Sequence, residues 1–468
     1  MRRHSVRVDD WEVGNVKKKA AWFIFACLLI SAAVLMSCQS SPPSLTRLDY
    51  KCSWQASTRD VNDRLMAGTE IMYIVPYKGK LYAATDLWME SDPDIPKACQ
   101  ILVLDSPEGQ WRVEHQFSKN NLRLVTLKLV TFTTDSEGNS ISPVSILLAA
   151  PDVYLGDLEV FSLDDESGEW VPMALGEEVW EYSTTRAIGL HHDVVTGIDH
   201  IFAGTSTLGT ISGVYDPDVP GRIRWEQSPE FQTPSGERVM GFCDCNGDFY
   251  CATSRYIYRR TDGPSPSWQE VYYCPEETSP AGIRGLSAVP NPSGSGEVLI
   301  FAALKKVHRL DPSRDFRETI ELDMQSFLAD LWDKPVAGVL AAYNRFMPYT
   351  IPQTGETVWL FGFESSYPRS YINADPPPEV RLFVREDLKW YFAAEARYFI
   401  RHANGEDISY EVAEVVDPGK PTLVAVRTIA VSPFPGDRGQ VLYFGGFDCN
   451  SQPCSNTAWI YRGELRSK

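Results

Sequence analysis

Seven short apolar segments, each closing on small residues, constrain this chain more than any other feature. They are Leu81-Tyr82-Ala83-Ala84, Leu147-Leu148-Ala149-Ala150, Ile201-Phe202-Ala203-Gly204, Phe249-Tyr250-Cys251-Ala252, Ile300-Phe301-Ala302-Ala303, Leu360-Phe361-Gly362-Phe363 and Tyr443-Phe444-Gly445-Gly446. An apolar strand precedes each one, near residues 71–75, 125–131, 186–190, 238–243, 283–289, 336–342 and 427–431. A further strand follows most of them, and a turn then leads to a large aromatic: Trp111, Trp170, Trp225, Trp268, Phe316 and Trp390. The spacing of roughly 45 to 75 residues lies in the range of repeat architectures. About 425 folded residues would otherwise suggest two or three domains. Repetition argues for one.

Four meandering strands per copy, with little helix between them, resemble the blades of the seven-bladed β-propeller superfamily over nearly all of residues 46–465. The resemblance implies an all-β domain at 46–468 in which the small pairs lie near the axis, where converging strands leave little room. Outer-strand aromatics would then fill the wedges between blades. The last copy ends at Trp459-Ile460-Tyr461-Arg462 without a fourth strand, while Tyr50-Lys51-Cys52-Ser53-Trp54 has no partner. The first strand is therefore expected to complete the last blade and remove an open edge. Gly445-Gly446 followed by Trp459 and Tyr461 is weakly similar to a Kelch repeat, but the other copies depart from that pattern. The irregular stretch 323–426 also permits a count of six or eight blades.

The first nineteen residues carry Arg2, Arg3, Arg7, Lys17, Lys18 and Lys19, and Ala20–Ser37 has no charged side chain. That is a signal-peptide layout. It closes with Leu35-Met36-Ser37-Cys38, which resembles the lipobox of bacterial lipoproteins. The resemblance implies removal of residues 1–37, lipid on Cys38, a tether over 38–45 and an exported body held at the cell envelope. An uncleaved anchor helix is the alternative, since eighteen apolar residues reach the lower edge of a membrane span. Without 1–37 the chain has 38 basic and 59 acidic side chains, so its net charge moves from −18 to −21. Nucleic acid and anionic lipid surfaces are thereby disfavoured as partners of the body.

Export permits disulfides. Cys449 and Cys454, separated by Asn-Ser-Gln-Pro in one loop, are the expected pair. The Asn246-Gly247 turn sets Cys245 opposite Asp248 and Cys243 opposite Tyr250, so Cys251 falls on the other face of the sheet and a zinc site is not expected. No catalytic signature or cofactor motif is present. His191-His192-Asp193, with Asp199 and His200 nearby, is expected in the turn between the first two strands of the third blade, as an exposed polar turn or as an acid-base group.

Long second-to-third connections are expected at 364–380, 447–457, 86–100 and 150–157, raising one side of one face above the other and leaving a cleft. Trp88, Tyr154, Tyr367 and Tyr371 lie on that side, either as flat platforms for sugar rings or partner side chains or as pins for their own loops. Residues 324–333 have helical spacing on the same face. Arg186, Arg238 and Arg427 recur at the start of innermost strands, with Arg284 near the equivalent place, and could converge as an anion site or pair with carboxylates between blades. Two functions fit: a tethered propeller that binds a protein or glycan through its loop-rich face, or a lyase or hydrolase acting on an anionic saccharide or small ester.

Overall fold

The seven small-residue segments form the second strands of seven antiparallel blades in the computed structural model. It describes residues 45–87, 98–176, 179–234, 237–275, 282–371, 380–385, 388–393, 396–416, 423–448 and 456–465, with backbone alone for 155, 179–181, 369, 380–385 and 388–393. Cys38 and the leader, Trp88, Cys449 and Cys454 lie outside these residues.

Each blade opens with its innermost strand: Glu70–Tyr77, Leu124–Thr134, Thr185–Asp193, Val239–Cys245, Arg284–Pro290, the split pair Gly338–Ala341 and Met347–Thr350, and Leu423–Val431. These strands contact one another in succession around a common axis. The seventh blade takes its outermost strand from the start of the described chain, Leu48–Gln55 running antiparallel to Ala458–Leu465, with Cys52 opposite Tyr461 and Trp54 opposite Ile460. Residues Leu45–Leu465 form one compact unit.

Steric limits explain the small residues. A Cβ on Gly445 would lie 2.6 Å from Ile71 of the first blade, and one on Gly204 or Gly362 would strike Val239 or Val426 of the following blade. Large side chains fit only farther out. Trp111, Trp170 and Trp225 are buried in apolar clusters that each join their own blade to the preceding one.

The sixth blade departs from expectation. Trp390 lies not on its outermost strand but in an inserted hairpin, Val380–Arg385 and Leu388–Ala393, that branches from the second-to-third connection. The true outermost strand is Asp407–Glu414, where Tyr410 opposes Arg401. Between the fifth and sixth blades, α1 (Met324–Trp332) starts where the Asp323 carboxylate accepts a hydrogen bond from Ser326 N at 3.0 Å and buries Met324 and Leu328.

Candidate functional site

Six of the innermost strands carry a register shift near their start, where an extra residue is unpaired with the second strand. Such bulges re-aim side chains. In the third blade the bulged residue is Arg186, and in the seventh a second bulge at mid-strand carries Arg427; both line a central channel of about 560 Å³. The sixth blade enlarges the same feature. Ala341 opposes Phe363 and Met347 opposes Leu360, so the five residues Ala342–Phe346 leave the sheet and Tyr343 enters the channel.

Three guanidinium groups gather on that phenol ring: Arg284 at 4.4 Å, Arg186 at 4.5 Å and Arg427 at 4.7 Å from its centroid. Guanidinium faces bind aromatic rings through the ring quadrupole, more strongly when water is excluded. Arg427 also donates to Glu70 at 2.6 Å and to Glu364 at 2.8 Å, so at this position the inter-blade pairing is realised. Burial disfavours its charge, but Glu364 and Glu70 hold its pKa above the ordinary range. For Arg284 the balance goes the other way: burial and then Arg186 push it down to about 9, against an upward pull from Tyr343. Arg186 is buried, and its Nη2 has no hydrogen-bond partner among the described residues.

Arg238, just before the fourth blade's innermost strand, is held below the usual arginine range by burial and by Arg186. Burial would raise the phenol pKa of Tyr343, yet Arg186 and Arg284 bring it below the ordinary tyrosine value. The sequence reading missed two members of this group. Arg123, immediately before the second blade's strand, donates to Asp86 at 2.9 Å and to the Tyr182 hydroxyl at 3.3 Å, a position matching that of Arg238 in the fourth blade. Tyr343 carried no repeat signal. Close by, the Asp152 carboxyl is pushed up to about 7 by burial, although it accepts a 2.8 Å hydrogen bond from Arg123 N.

The loop aromatics divide. Val153–Gly156 pairs with Val179–Ser183 to form a small ribbon, on which Tyr154 is 44% exposed and its ring lies 4.7 Å from that of Tyr182. Tyr367 is 6% exposed and its ring is 5.3 Å from that of Tyr371, so it anchors its own loop.

The His191 cluster lies in the strand and not in the turn, which corrects the sequence expectation. Strand Thr185–Asp193 extends through it, and alternation turns His191 inward, 2% exposed and stacked on Phe249 at 4.9 Å. Its Nδ1 meets Asp244 at 2.6 Å and its Nε2 meets Asp262 at 3.0 Å. Arg260 completes the network by donating to Asp262, Asp193 and Glu230. Burial lowers the imidazole pKa, but Asp244 and Asp262 outweigh it and the net shift is upward. A raised histidine contributes stability that is fully present below its unfolded pKa of about 6.5 and is lost as pH rises through the folded value. Scanning calorimetry across this range should therefore show the wild-type melting temperature falling relative to His191→Gln as pH rises; parallel curves would remove the linkage.

The Asn246-Gly247 register is as expected, with Cys243 opposite Tyr250 and Cys245 opposite Asp248. Cys243, Cys245 and Cys251 are free thiols, and burial drives the last two up to about 12. Among the described residues no group of three or more His, Cys, Asp or Glu is placed to hold a metal ion, and no helix is long and apolar enough to cross a membrane.

Fold and channel together define a seven-bladed β-propeller whose central channel is lined by Arg186, Arg427 and Tyr343. By sequence the chain matches no protein-family model and no curated protein. Among solved structures it is similar to the α-L-arabinanase of Penicillium chrysogenum complexed with arabinobiose, at 12% identity over 70% of this chain and 94% of that chain, with a TM-score of 0.37.

Proposed function

We propose that this propeller is a binding protein of the bacterial cell envelope, tethered by lipid on Cys38, that takes an anionic group of a glycan or protein partner at the channel mouth. The observation carrying this reading is Arg186, a buried guanidinium whose Nη2 has no partner among the described residues, beside Arg284, Arg238 and Tyr343 in an otherwise acidic chain. A partner carboxylate would satisfy that donor and offset the mutual repulsion of the arginines. Tyr154 on its ribbon offers a neighbouring flat surface.

A second reading, an enzyme acting on an anionic saccharide or small ester, is favoured by Tyr343 and Asp152. Both groups have pKa values displaced in the direction that suits proton transfer at neutral pH.

Titration of the soluble body, residues 45–468, with uronic-acid oligomers and lactones tests both readings. Binding without turnover is expected, and Arg186→Ala with Arg238→Ala should weaken it at least tenfold, by an amount that shrinks as salt rises. Affinity untouched by both substitutions would make the arginines structural. Turnover that disappears in Tyr343→Phe would replace the binding reading with the enzymatic one.

A further inference from the structure

The contact that positions Arg427 recurs at a second seam with one charge reversed. Where the seventh blade meets the first, Gly445 pairs with Thr428, the residue after Arg427, and lies against Ile71, the residue after Glu70. Where the third blade meets the fourth, Gly204 pairs with Ala187, the residue after Arg186, and lies against Val239, the residue after Arg238. In both seams the first-named arginine is a bulged residue, and Ile71 and Val239 are each the last paired residue before the next blade's own bulge. Arg186 and Arg238 are therefore related as Arg427 and Glu70 are, whose side-chain heads meet at 2.6 Å.

The third-to-fourth seam thus sets two guanidinium groups where the seventh-to-first sets a guanidinium and a carboxylate. Arg186 is 4% exposed, with Nη2 unpartnered among the described residues. After burial, the groups acting most strongly on Arg238 are Arg186, Tyr182, Arg123 and Tyr343, and none is a carboxylate. Two like charges at one seam lack the anion that the other seam supplies from its own chain.

The neighbouring ribbon indicates what carries that anion. Tyr182 precedes Arg186 by four residues, at most about 14 Å along the chain, and its hydroxyl accepts a hydrogen bond from Arg123 at 3.3 Å. Its ring backs that of Tyr154, the exposed apolar side chain among those described on the ribbon. One exposed ring backed by a second suits a single sugar ring, whereas a protein partner calls for a larger apolar patch.

We propose that the carboxylate of a uronic-acid residue fills, between Arg186 and Arg238, the place that the Glu70 carboxylate fills beside Arg427, with an adjoining sugar ring on Tyr154. A planar carboxylate offers each guanidinium fork a matching acceptor. This inference rests on the anion-binding reading of the channel mouth and narrows its ligand to an acidic oligosaccharide.

Calorimetric titration of the soluble body with trigalacturonate, its methyl ester and a glutamate-rich peptide tests it, with melting temperatures read on the same variants. Wild type should bind trigalacturonate, and bind the neutral ester and the peptide at least tenfold more weakly. Arg238→Glu, which reproduces the Glu70 arrangement at the third-to-fourth seam, should lose at least tenfold in affinity yet melt above wild type, because Arg186 is already desolvated and gains a partner. Tyr154→Ala should lose several-fold in affinity at unchanged melting temperature. An Arg238→Glu variant that binds like wild type, or that loses binding while melting lower, overturns the seam assignment, and the anion-binding reading is then judged separately on Arg186→Ala. Peptide binding as tight as that of trigalacturonate, or affinity untouched by Tyr154→Ala, overturns the saccharide assignment. No binding of any carboxylate probe by wild type removes the anion-binding reading itself.

Discussion

Deleting residues 45–56 should abolish the single cooperative unfolding transition and leave a species that self-associates. These residues contain the strand Leu48–Gln55, which supplies the outer edge of the seventh blade. Without it, Ala458–Leu465 becomes an open edge, and unpaired edges recruit other chains. The deletion also removes Trp54, which is 5% exposed and packs in one apolar cluster with Trp111, Tyr443 and Ile460. That cluster joins the last blade to the first, so the loss falls on the seam that closes the ring. Trp54→Ala alone is expected to cost about 3 to 5 kcal/mol, a large share of the ~5 to 15 kcal/mol typical of a folded domain. Circular dichroism melting with size-exclusion chromatography reads both effects. A deletion variant that stays monomeric and melts within a few degrees of wild type would show that the first strand is not what closes the ring.

The blades were legible because their signal is steric and repeats. Several small residues answer to a neighbouring blade, as Gly445 does to Ile71 and Gly204 to Val239, and outer tryptophans such as Trp111 fill a wedge, so local residue choice reports long-range geometry directly. The unpaired first strand was legible for the same reason. What was not legible depends on departures from that repeat. The inserted hairpin of the sixth blade has the composition of a strand pair, so Trp390 took the place that belongs to Tyr410. The excursion Ala342–Phe346 has no periodicity, and nothing local marks Tyr343 as the residue around which the arginines gather. His191 and Asp262 are 71 residues apart and meet only because adjacent blades bring them together. The four predicted arginines occupy or adjoin bulges of their innermost strands, yet their partners separate them: Arg427 has two carboxylates, whereas Arg186 has a buried donor with none among the described residues.

Arg427→Met should destabilise the protein by about 3 to 5 kcal/mol near neutral pH, because removing one member of a buried ionic group strands the others. The guanidinium is 3% exposed and the Glu70 side chain 1%, with Glu364 at 14%, so solvent can do little to replace the lost charge. Glu70 lies 357 residues from Arg427 and Glu364 lies 63 residues away, so the three charges also tie the sixth, seventh and first blades together at the axis. Glu364 is already raised by burial, with Arg427 the group that restrains it. Without Arg427 the Glu364 carboxyl should bind its proton more tightly folded than unfolded. A carboxyl with a raised folded pKa favours folding at low pH and loses that advantage as pH rises from its unfolded value of about 4.3 through the folded one. The deficit of Arg427→Met should therefore be largest at pH 7 to 8 and shrink toward pH 5, and adding Glu70→Gln should recover part of it at neutral pH. Denaturant unfolding at several pH values measures this, and a deficit that does not change with pH would mean that Arg427 stabilises the axis through packing on Tyr343 and Phe447 instead of through charge.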